Sequence, residues 1–256
     1  MGIRVTPRST SVPSLTPTPL LFPRVPDSGT PPDQATHLPV RRVISILPRR
    51  GGRFDVDIDG MPTSMLSIEA IERFGLAVGG VVDERTFAAI EREVGILQTY
   101  DRALNMLAAR GRASAELRRL LIRKGEPADR VDVAIERLVS VGFLDDAAFA
   151  RQFARSKGVS GGLSRRRLQQ ELGRRGVSRE TGSDAIETVF TEEGVDEAAA
   201  IERVAQKKLR SLTNLDGPTR RRRLYSFLAR RGYDSDEIGR VVRQLLDSSD
   251  EPEQSV

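Results

Sequence analysis

Hydrophobic positions in the second half of the chain recur in three matching segments, at residues 116–125, 167–176 and 223–232. Each segment ends in Gly and carries Leu eight and four residues before that Gly, on one face of a predicted helix. Two adjacent basic residues precede each closing Gly, and the closing Gly residues are 51 and 56 positions apart. A period of about 50 residues is typical of an array of supersecondary units that stack on one another.

Each repeat is predicted to hold three helices, of which these segments are the second. Ser114, Ser164 and Thr219 are suitable N-caps for the second helices, and the closing Gly is a suitable left-handed residue at the C-terminal end. The first helices carry the apolar pairs Leu104 and Leu107, Phe149 and Phe153, and Ile201 and Val204.

The third helices show an apolar stripe six, ten and thirteen residues after the closing Gly, which indicates the buried face of an amphipathic helix. Gly182 interrupts this stripe in the middle repeat, so its third helix is expected to be the weakest. The stripe positions are Val131, Ile135 and Leu138, then Gly182, Ile186 and Val189, then Ile238, Val242 and Leu245.

Residues 41–95 follow a different pattern. Residues 43–47 and 54–58 alternate like strands, Asp59-Gly60 is a strong hairpin dipeptide, and residues 61–66 are a third candidate strand. Ser67 is then a predicted N-cap for a helix that stops at Gly75, and Asp83 opens a helix to about residue 94.

The sequence therefore predicts a mainly α protein, with tandem three-helix repeats forming an elongated, curved array and a small N-terminal β-rich module. The predicted divisions are a disordered Pro/Thr/Ser-rich tail at 1–40, the β-rich module at 41–96, repeats at 98–146, 147–195 and 197–247, and a short acidic tail at 248–256.

Composition narrows the function classes. The net charge is +5 and the pI is about 10.0, which favours an anionic partner. The chain has no Cys and one His, His37, so thiol chemistry and His-based metal or catalytic sites are not expected. No apolar run is long enough to span a membrane, and Pro residues interrupt the N-terminal region where a secretory signal would lie. We therefore expect a cytoplasmic protein.

Two acidic motifs have structural explanations that we prefer. The pattern at 55–60 matches the start of a calcium-binding loop, but Leu66 stands where the bidentate carboxylate is required, which favours a strand and a tight turn. Asp145 and Asp146 are interpreted as helix caps rather than metal ligands or an acid–base pair. No phosphate-binding loop and no nucleophile with a base is present, so we expect a non-enzymatic protein without cofactors or metal.

The basic clusters of the second helices are the candidate binding site. A single such cluster is most simply a solvated helix face, but clusters at equivalent positions of stacked repeats would form a stripe. Such a stripe could follow a phosphate backbone or an acidic protein surface. The candidate residues are Arg118, Arg119, Arg123, Lys124, Arg165, Arg166, Arg167, Arg174, Arg175, Arg220, Arg221, Arg222, Arg223, Arg230 and Arg231.

The segments GFLDDAAFARQFARSK at 142–157 and GGLSRRRLQQELGRRG at 161–176 resemble the signature of the RecX family of recombinase regulators, and SAELRRLLIRKG at 114–125 resembles its first-repeat pattern. The resemblance covers about 98–246, and the module at 41–95 is similar to a β region that many members carry. It implies a crescent of three-helix repeats that binds the RecA filament on DNA. It further implies inhibition of strand exchange, ATP hydrolysis and coprotease activity, with weaker, salt-sensitive binding of single- and double-stranded DNA. We expect the chain to act as a monomer.

Two alternatives remain open at this point. One is a DNA-binding helical-repeat protein without a recombinase partner, which would show sequence-dependent affinity that persists at moderate salt. The other is a general protein-interaction solenoid, which would have no DNA affinity.

Overall fold

The computed structural model describes residues 40–247; the predicted tail before residue 40 and the predicted acidic tail at 248–256 lie outside this range. The strands are β1 Arg41–Arg49, β2 Arg53–Ile58, β3 Met61–Ser67 and β4 Val81–Val82. The helices are α1 Ile68–Arg73, α2 Glu84–Ala109, α3 Ser114–Arg123, α4 Ala128–Ser140, α5 Asp146–Ala154, α6 Arg165–Arg175, α7 Arg179–Glu192, α8 Glu197–Leu209, α9 Gly217–Arg230 and α10 Ser235–Asp247. A π-helical turn, Arg155–Val159, extends α5, and a 3-10 turn, Arg210–Leu212, extends α8.

The N-terminal module is an antiparallel sheet in the order β3-β2-β1-β4. All three predicted strands are confirmed, and the turn between β2 and β3 has positive φ at Asp59 and Gly60, as a tight two-residue hairpin requires. The strand interpretation of the acidic pattern at 55–60 is therefore confirmed. The two-residue strand β4 was not predicted, because it is too short to show alternation.

Helix α1 begins and ends as predicted. The side chain of Ser67 accepts a hydrogen bond from the main-chain N–H of Ala70, and Gly75 follows the helix with a φ of +62°. The sheet and α1 pack against the N-terminal half of α2, whose Phe87 and Ile90 lie in the same apolar core as Val56.

Helix α2 is longer than predicted. It was expected to end near residue 94, but it continues without interruption to Ala109. Its N-terminal half belongs to the core of the sheet module, whereas Ala103, Leu104 and Leu107 belong to the core formed with α3 and α4. The apolar pattern changes along the helix because each half faces a different core, and the sequence therefore resembled two shorter helices.

Three helical repeats follow, each with its own core: α2 with α3 and α4, then α5 to α7, then α8 to α10. The paired leucines of the second helices are fully buried in all three, as predicted: Leu117, Leu121, Leu168, Leu172, Leu224 and Leu228. The predicted fold class, mainly α with three-helix repeats and a small N-terminal β module, is confirmed.

The caps of the second helices agree with the sequence prediction in one repeat. The Ser164 side chain accepts from the N–H of Arg167 and caps α6, as predicted. The prediction is wrong for Ser114, which is the first residue of α3 and donates its own N–H to Asp146 Oδ1 at 2.8 Å. It is also wrong for Thr219, because α9 begins earlier and Asp216 accepts from the Thr219 N–H at 3.0 Å.

The expectation that Asp145 and Asp146 cap the helix that follows them is confirmed for Asp145, whereas Asp146 caps a different helix. Asp145 accepts from the N–H of Ala148 and caps α5. Asp146 instead caps α3, because its carboxylate accepts a hydrogen bond from the N–H of Ser114. The first residue of α5 thus caps the second helix of repeat one. Within residues 40–247 no three His, Cys, Asp or Glu side chains come together in a way that could hold a metal ion.

Gly182 does not interrupt the third helix of the middle repeat. Helix α7 runs through it without a break, and the residue is buried. The amide atoms of Gln169 on α6 lie 3.0 Å from where a Cβ would stand, so Gly182 makes room for a polar side chain of the neighbouring helix. The relative strength of this helix stays a prediction.

A buried carboxylate joins the sheet module to the first repeat. Glu93 on α2 is 6% exposed and accepts from Arg73 on α1 at 2.8 Å and from Arg137 on α4 at 2.7 Å. Burial by itself would raise the pKa of Glu93, but the hydrogen bonds from Arg137 and Arg73 outweigh it and hold that pKa below its ordinary value. A surface cavity of about 510 Å³ lies over this cluster.

Candidate functional site

The candidate site consists of the basic residues on the second helices α3, α6 and α9. These helices turn their paired leucines into the repeat cores, as the sequence predicted, and their basic residues lie outside the fully buried positions. The structure divides the arginines into two groups, according to whether the guanidinium has a partner inside the protein. The difference decides which side chains are available to another molecule.

Arg119 and Arg166 hold the junctions between repeats. Arg119 on α3 donates to the main-chain oxygen of Arg174 at 2.9 Å, and Arg166 on α6 donates from Nε to the main-chain oxygen of Gly232 at 3.2 Å. Each acceptor lies at the C-terminal end of the next repeat's second helix, where main-chain carbonyls lack helical partners and the helix dipole is negative. Both arginines therefore bind the chain's own helix ends.

The closing Gly residues fit tightly into these junctions. Gly176 and Gly232 have φ values of +90° and +89°. A Cβ on Gly176 would overlap the Cβ of Ala115, and a Cβ on Gly232 would stand 2.6 Å from the Ser164 hydroxyl and from Arg167. Helix ends in repeats two and three thus contact the start of the preceding second helix through a surface that only Gly allows.

The basic residue directly before the closing Gly packs inward in repeats two and three. The Arg175 guanidinium lies 4.6 Å from the ring centre of Phe153, and the Arg231 guanidinium lies 4.6 Å from the ring centre of Phe227. Arg175 also donates to the main-chain oxygen of Glu171 at 2.7 Å, and Arg231 donates to the main-chain oxygens of Gly161 and Gly162. These contacts stabilise the repeats by cation–π attraction and by hydrogen bonds to main-chain oxygens.

Four further candidates form ion pairs within or next to their own repeat. Arg118 pairs with Asp132 through two hydrogen bonds, of 2.6 and 3.1 Å, and Arg165 pairs with Glu187 and Glu197. Arg167 and Arg174 both approach Glu171, at 2.7 and 3.1 Å. A hydrogen bond from the Arg175 guanidinium and the nearby positive charges of Arg167 and Arg174 lower the pKa of Glu171.

The remaining candidates lie on the outer surface. Arg123, Lys124, Arg222, Arg223 and Arg230 are exposed, and their side chains form no hydrogen bond or ion pair with any residue in the range 40–247. Arg220 is half-buried and Arg221 is exposed, and both have interactions within the protein.

The position two residues before each closing Gly is equivalent in all three repeats. Arg123, Arg174 and Arg230 occupy it, and all three are exposed; the Arg174 side chain is 64% exposed despite its contact with Glu171. This is the one position of the motif at which every repeat presents a cation outward.

The sequence-predicted set omitted Lys157. This exposed residue lines a surface cavity of about 460 Å³ together with Arg230, Arg231 and Phe227, at the junction of repeats two and three. It lies in the π-helical turn after α5 and not on a second helix, so the repeat alignment could not identify it. Single π-helical turns in α-helices are often found at functional sites.

No helix among the described residues is long and apolar enough to cross a membrane.

Three family models match the chain, one for each helical repeat. They describe the first, second and third three-helix domains of RecX, and they match residues 100–138, 145–186 and 196–242. Each match lies within one of the repeats described above.

Curated relatives and a solved structure agree with these matches. A regulatory protein RecX of Amycolatopsis mediterranei is 38% identical over 142 residues, which cover 56% of this chain and 79% of that protein. A regulatory protein RecX of Levilactobacillus brevis is 28% identical over 206 residues, covering 80% of this chain and 76% of that protein. A crystal structure of a regulatory protein RecX superposes with a TM-score of 0.62 at 21% identity, over 81% of this chain and 99% of that one, and shows the same fold.

Proposed function

Because this chain belongs to the RecX family of regulatory proteins, we propose that it binds the RecA recombinase–DNA filament and inhibits its recombinase, ATPase and coprotease activities. Through this inhibition it modulates DNA repair and recombination. The family membership supports a regulatory role, and the surface of the second helices supports a repeating, anionic partner.

The observation that carries the proposal is the exposed cation at the same position of every repeat, Arg123, Arg174 and Arg230. A recombinase filament on DNA repeats its protomers and phosphates at regular intervals. An array that presents one cation per repeat makes several weak contacts with such a partner at once, and linked weak contacts add to a high effective affinity without a deep pocket.

Within the candidate site, the proposal assigns partner contact to the outward residues Arg123, Lys124, Arg222, Arg223 and Arg230, together with Arg174. Arg119, Arg166, Arg175 and Arg231 shape the array instead, because they hold helix ends and pack on aromatic rings. The outward residues are therefore the ones to mutate if binding is to be separated from folding.

DNA alone is proposed as a weaker ligand, bound as either single or double strand through its phosphates by a monomer of this chain. Binding through phosphates releases condensed counterions, so affinity for duplex DNA falls with salt by a log–log slope of roughly −0.9 per phosphate contact. We expect a steep salt dependence that is the same for unrelated DNA sequences.

The test compares two variants that each lose five positive charges. The first replaces Arg123, Lys124, Arg222, Arg223 and Arg230 with Gln, and the control replaces the exposed residues Arg85, Arg151, Arg179, Lys207 and Arg240 with Gln. Inhibition of the ATPase of RecA filaments on single-stranded DNA is measured for both. We expect the first variant to need roughly tenfold more protein for half-inhibition and the control to inhibit nearly as wild type. Circular dichroism verifies that both are folded.

Equal inhibition by the two variants would contradict the proposed contact surface. If wild-type protein binds DNA with sequence preference at moderate salt but leaves the ATPase unaffected, the recombinase proposal is wrong. The chain would then be a DNA-binding helical-repeat protein without a recombinase partner.

A further inference from the structure

The cavity between repeats two and three combines positive charge with an apolar wall. Its volume of about 460 Å³ falls within the range of roughly 300–1,000 Å³ that is typical of ligand sites. Both repeats contribute to its lining, which consists of Lys157, Gly161, Leu163, Phe227, Arg230 and Arg231. A ligand in this cavity would therefore contact two repeats at once.

Two cations of the cavity are available to a ligand. Lys157 lies in the π-helical turn after α5, and Arg230 is the last residue of α9. Both are exposed, and their side chains form no hydrogen bond or ion pair with any residue in the range 40–247. An ammonium and a guanidinium are the groups that proteins use most to bind phosphate, the first as a point charge and the second as a planar fork. The pair therefore favours a phosphate group.

The third cation, Arg231, is already engaged and holds the walls of the cavity in place. It donates to the main-chain oxygens of Gly161 and Gly162, and its guanidinium lies over the ring of Phe227. The hydroxyl of Tyr233 also donates to the Gly162 oxygen, at 3.2 Å. These bonds join the loop before α6 to the end of α9, so little of the cavity has to be ordered when a ligand binds.

The apolar wall indicates what accompanies the phosphate. Leu163 and Phe227 are half-buried and border the cavity beside the two cations. A phosphate by itself would leave this wall facing water, and a DNA duplex keeps its bases paired inside the helix. A single strand presents a phosphate together with an unpaired planar base, and bases of every kind stack on aromatic rings and on Arg guanidinium planes.

We propose that this cavity binds one nucleotide of single-stranded DNA. Lys157 and Arg230 bind its phosphate, and its base lies against Leu163, Phe227 and the guanidinium of Arg231. The inference deepens the proposed function and rests on the part of it that concerns DNA. It adds a base contact to the phosphate contacts of the array, so the chain prefers single-stranded to duplex DNA without reading a particular sequence.

The base contact is tested with two single strands of about 12 nucleotides. One consists of thymidines, and the other has the same length and charge but lacks the bases. Fluorescence anisotropy measures the affinity of the wild-type protein for both strands and for a duplex. We expect the thymidine strand to bind roughly tenfold more tightly than the strand without bases, because stacking on protein groups contributes to the first only. Equal affinities for the two single strands would overturn the proposal.

A substitution in the apolar wall assigns the base contact to this cavity. Phe227→Leu keeps an apolar side chain but removes the planar ring. The control, Phe143→Leu, replaces an exposed aromatic residue between α4 and α5 that does not border the cavity. We expect Phe227→Leu to bind the thymidine strand roughly fivefold more weakly and the strand without bases unchanged, while the control changes neither. A loss that is equal for both strands, or no loss, would overturn the base contact; thermal unfolding verifies that both variants are folded.

The phosphate contact has a separate readout that does not depend on the ring. Removing one phosphate contact to a single strand should make the log–log dependence of affinity on salt less steep by roughly 0.7. Lys157→Gln should show this change, whereas Arg151→Gln, at an exposed position of α5, should keep the wild-type slope. Equal slopes for the two variants would overturn the assignment of Lys157.

Thymidine monophosphate, added as a competitor, distinguishes a strand from a free nucleotide. Displacement of the strand only at millimolar concentrations agrees with the proposal, because a single nucleotide lacks the contacts to the rest of the array. Displacement at micromolar concentrations would make a free nucleotide the ligand and would overturn it.

The outcome for the cavity can be told apart from the outcome for the recombinase. If the wild-type protein inhibits the RecA ATPase but binds both single strands equally, the cavity proposal is wrong and the proposed function stands. If Phe227→Leu and Lys157→Gln act as expected but the wild-type protein leaves the ATPase unaffected, the cavity stands and the recombinase proposal is wrong. Absence of any DNA binding by the wild-type protein would overturn the cavity proposal, and the ATPase assay would still decide the other.

Discussion

Arg166 on α6 donates a hydrogen bond from Nε to the main-chain oxygen of Gly232, 3.2 Å away at the end of α9. Arg119 makes the equivalent contact with the main-chain oxygen of Arg174, at 2.9 Å. Residues of one repeat thus bind the negative end of a helix in the next. The junctions of the array depend on polar contacts at helix ends as well as on apolar packing.

Loss of the Arg166 guanidinium should weaken the junction of repeats two and three. We expect Arg166→Ala to lower the free energy of unfolding by about 1 kcal/mol, because this is the usual net contribution of one intramolecular hydrogen bond to stability. Urea denaturation followed by circular dichroism measures this. Arg151→Ala, at an exposed position of α5, is the control and should change stability by less than about 0.5 kcal/mol. Equal effects of the two substitutions would contradict the junction role.

The closing Gly residues allow a matched pair of substitutions. Gly125 and Gly176 have nearly the same φ, +91° and +90°, but a Cβ would meet nothing within 4 Å at Gly125 and would overlap Ala115 at Gly176. Gly125→Ala should therefore cost only the left-handed backbone strain, about 1 kcal/mol. Gly176→Ala should cost that strain plus about 1–3 kcal/mol of steric overlap. Thermal and urea unfolding of both variants measure the difference, and equal losses would show that the close approach does not matter.

The Glu93 cluster should make stability depend on pH. Because the folded-state pKa of Glu93 is lowered from 4.5, the stabilisation is fully present above that pH and is lost as the pH falls through the lower folded-state pKa. Glu93→Gln should cost about 2 kcal/mol at pH 7, a moderate value because Arg73 and Arg137 are partly exposed.

The difference in unfolding free energy between wild type and Glu93→Gln should shrink as the pH is lowered from 6 toward about 3. Urea titrations across this range measure it. Glu91→Gln, at an exposed neighbouring position, should show no such trend. A difference between wild type and Glu93→Gln that stays constant with pH would contradict the assignment.

The effect on stability of replacing Gly182 should depend on the side chain of Gln169, which lies against it. Gly182→Ala gains about 1 kcal/mol of helix propensity but pushes against the Gln169 amide, so we expect a net change near zero. In a Gln169→Ala background the same substitution should stabilise the protein by about 0.5–1 kcal/mol. A double-mutant cycle in urea measures the coupling, and its absence would show that the two residues do not compete for space.

Much of the fold could be predicted because it depends on local signals. The Leu pairs, the left-handed Gly residues, the Ser67 and Asp83 caps and the Asp59-Gly60 turn each act within a few residues of sequence. The caps at Ser114 and Thr219 were wrong for different reasons. Ser114 is capped by a side chain 32 residues away, and α9 starts one turn earlier because Asp216 and Pro218 favour a start there.

The candidate site was predictable only in part. Sequence position identified the basic clusters, but it could not separate Arg230, which points outward, from Arg231, which binds carbonyls of the preceding repeat. The two neighbours lie on different faces of the helix, and only the face of Arg231 contacts another repeat. That contact joins residues about 70 positions apart in the sequence, so local patterns could not reveal it. Which of these side chains contact a partner stays a proposal.

Helix α2 is shared by the sheet module and the first repeat, and this fixes the rotation of one relative to the other about the helix axis. An α-helix turns by about 100° per residue, so one residue inserted near Gly95 would rotate the module by that angle about the helix axis and separate Glu93 from Arg137. A matching deletion would rotate it the other way. The length of α2 therefore sets the angle between the sheet module and the first repeat, and only a change of about a whole number of turns would keep that angle.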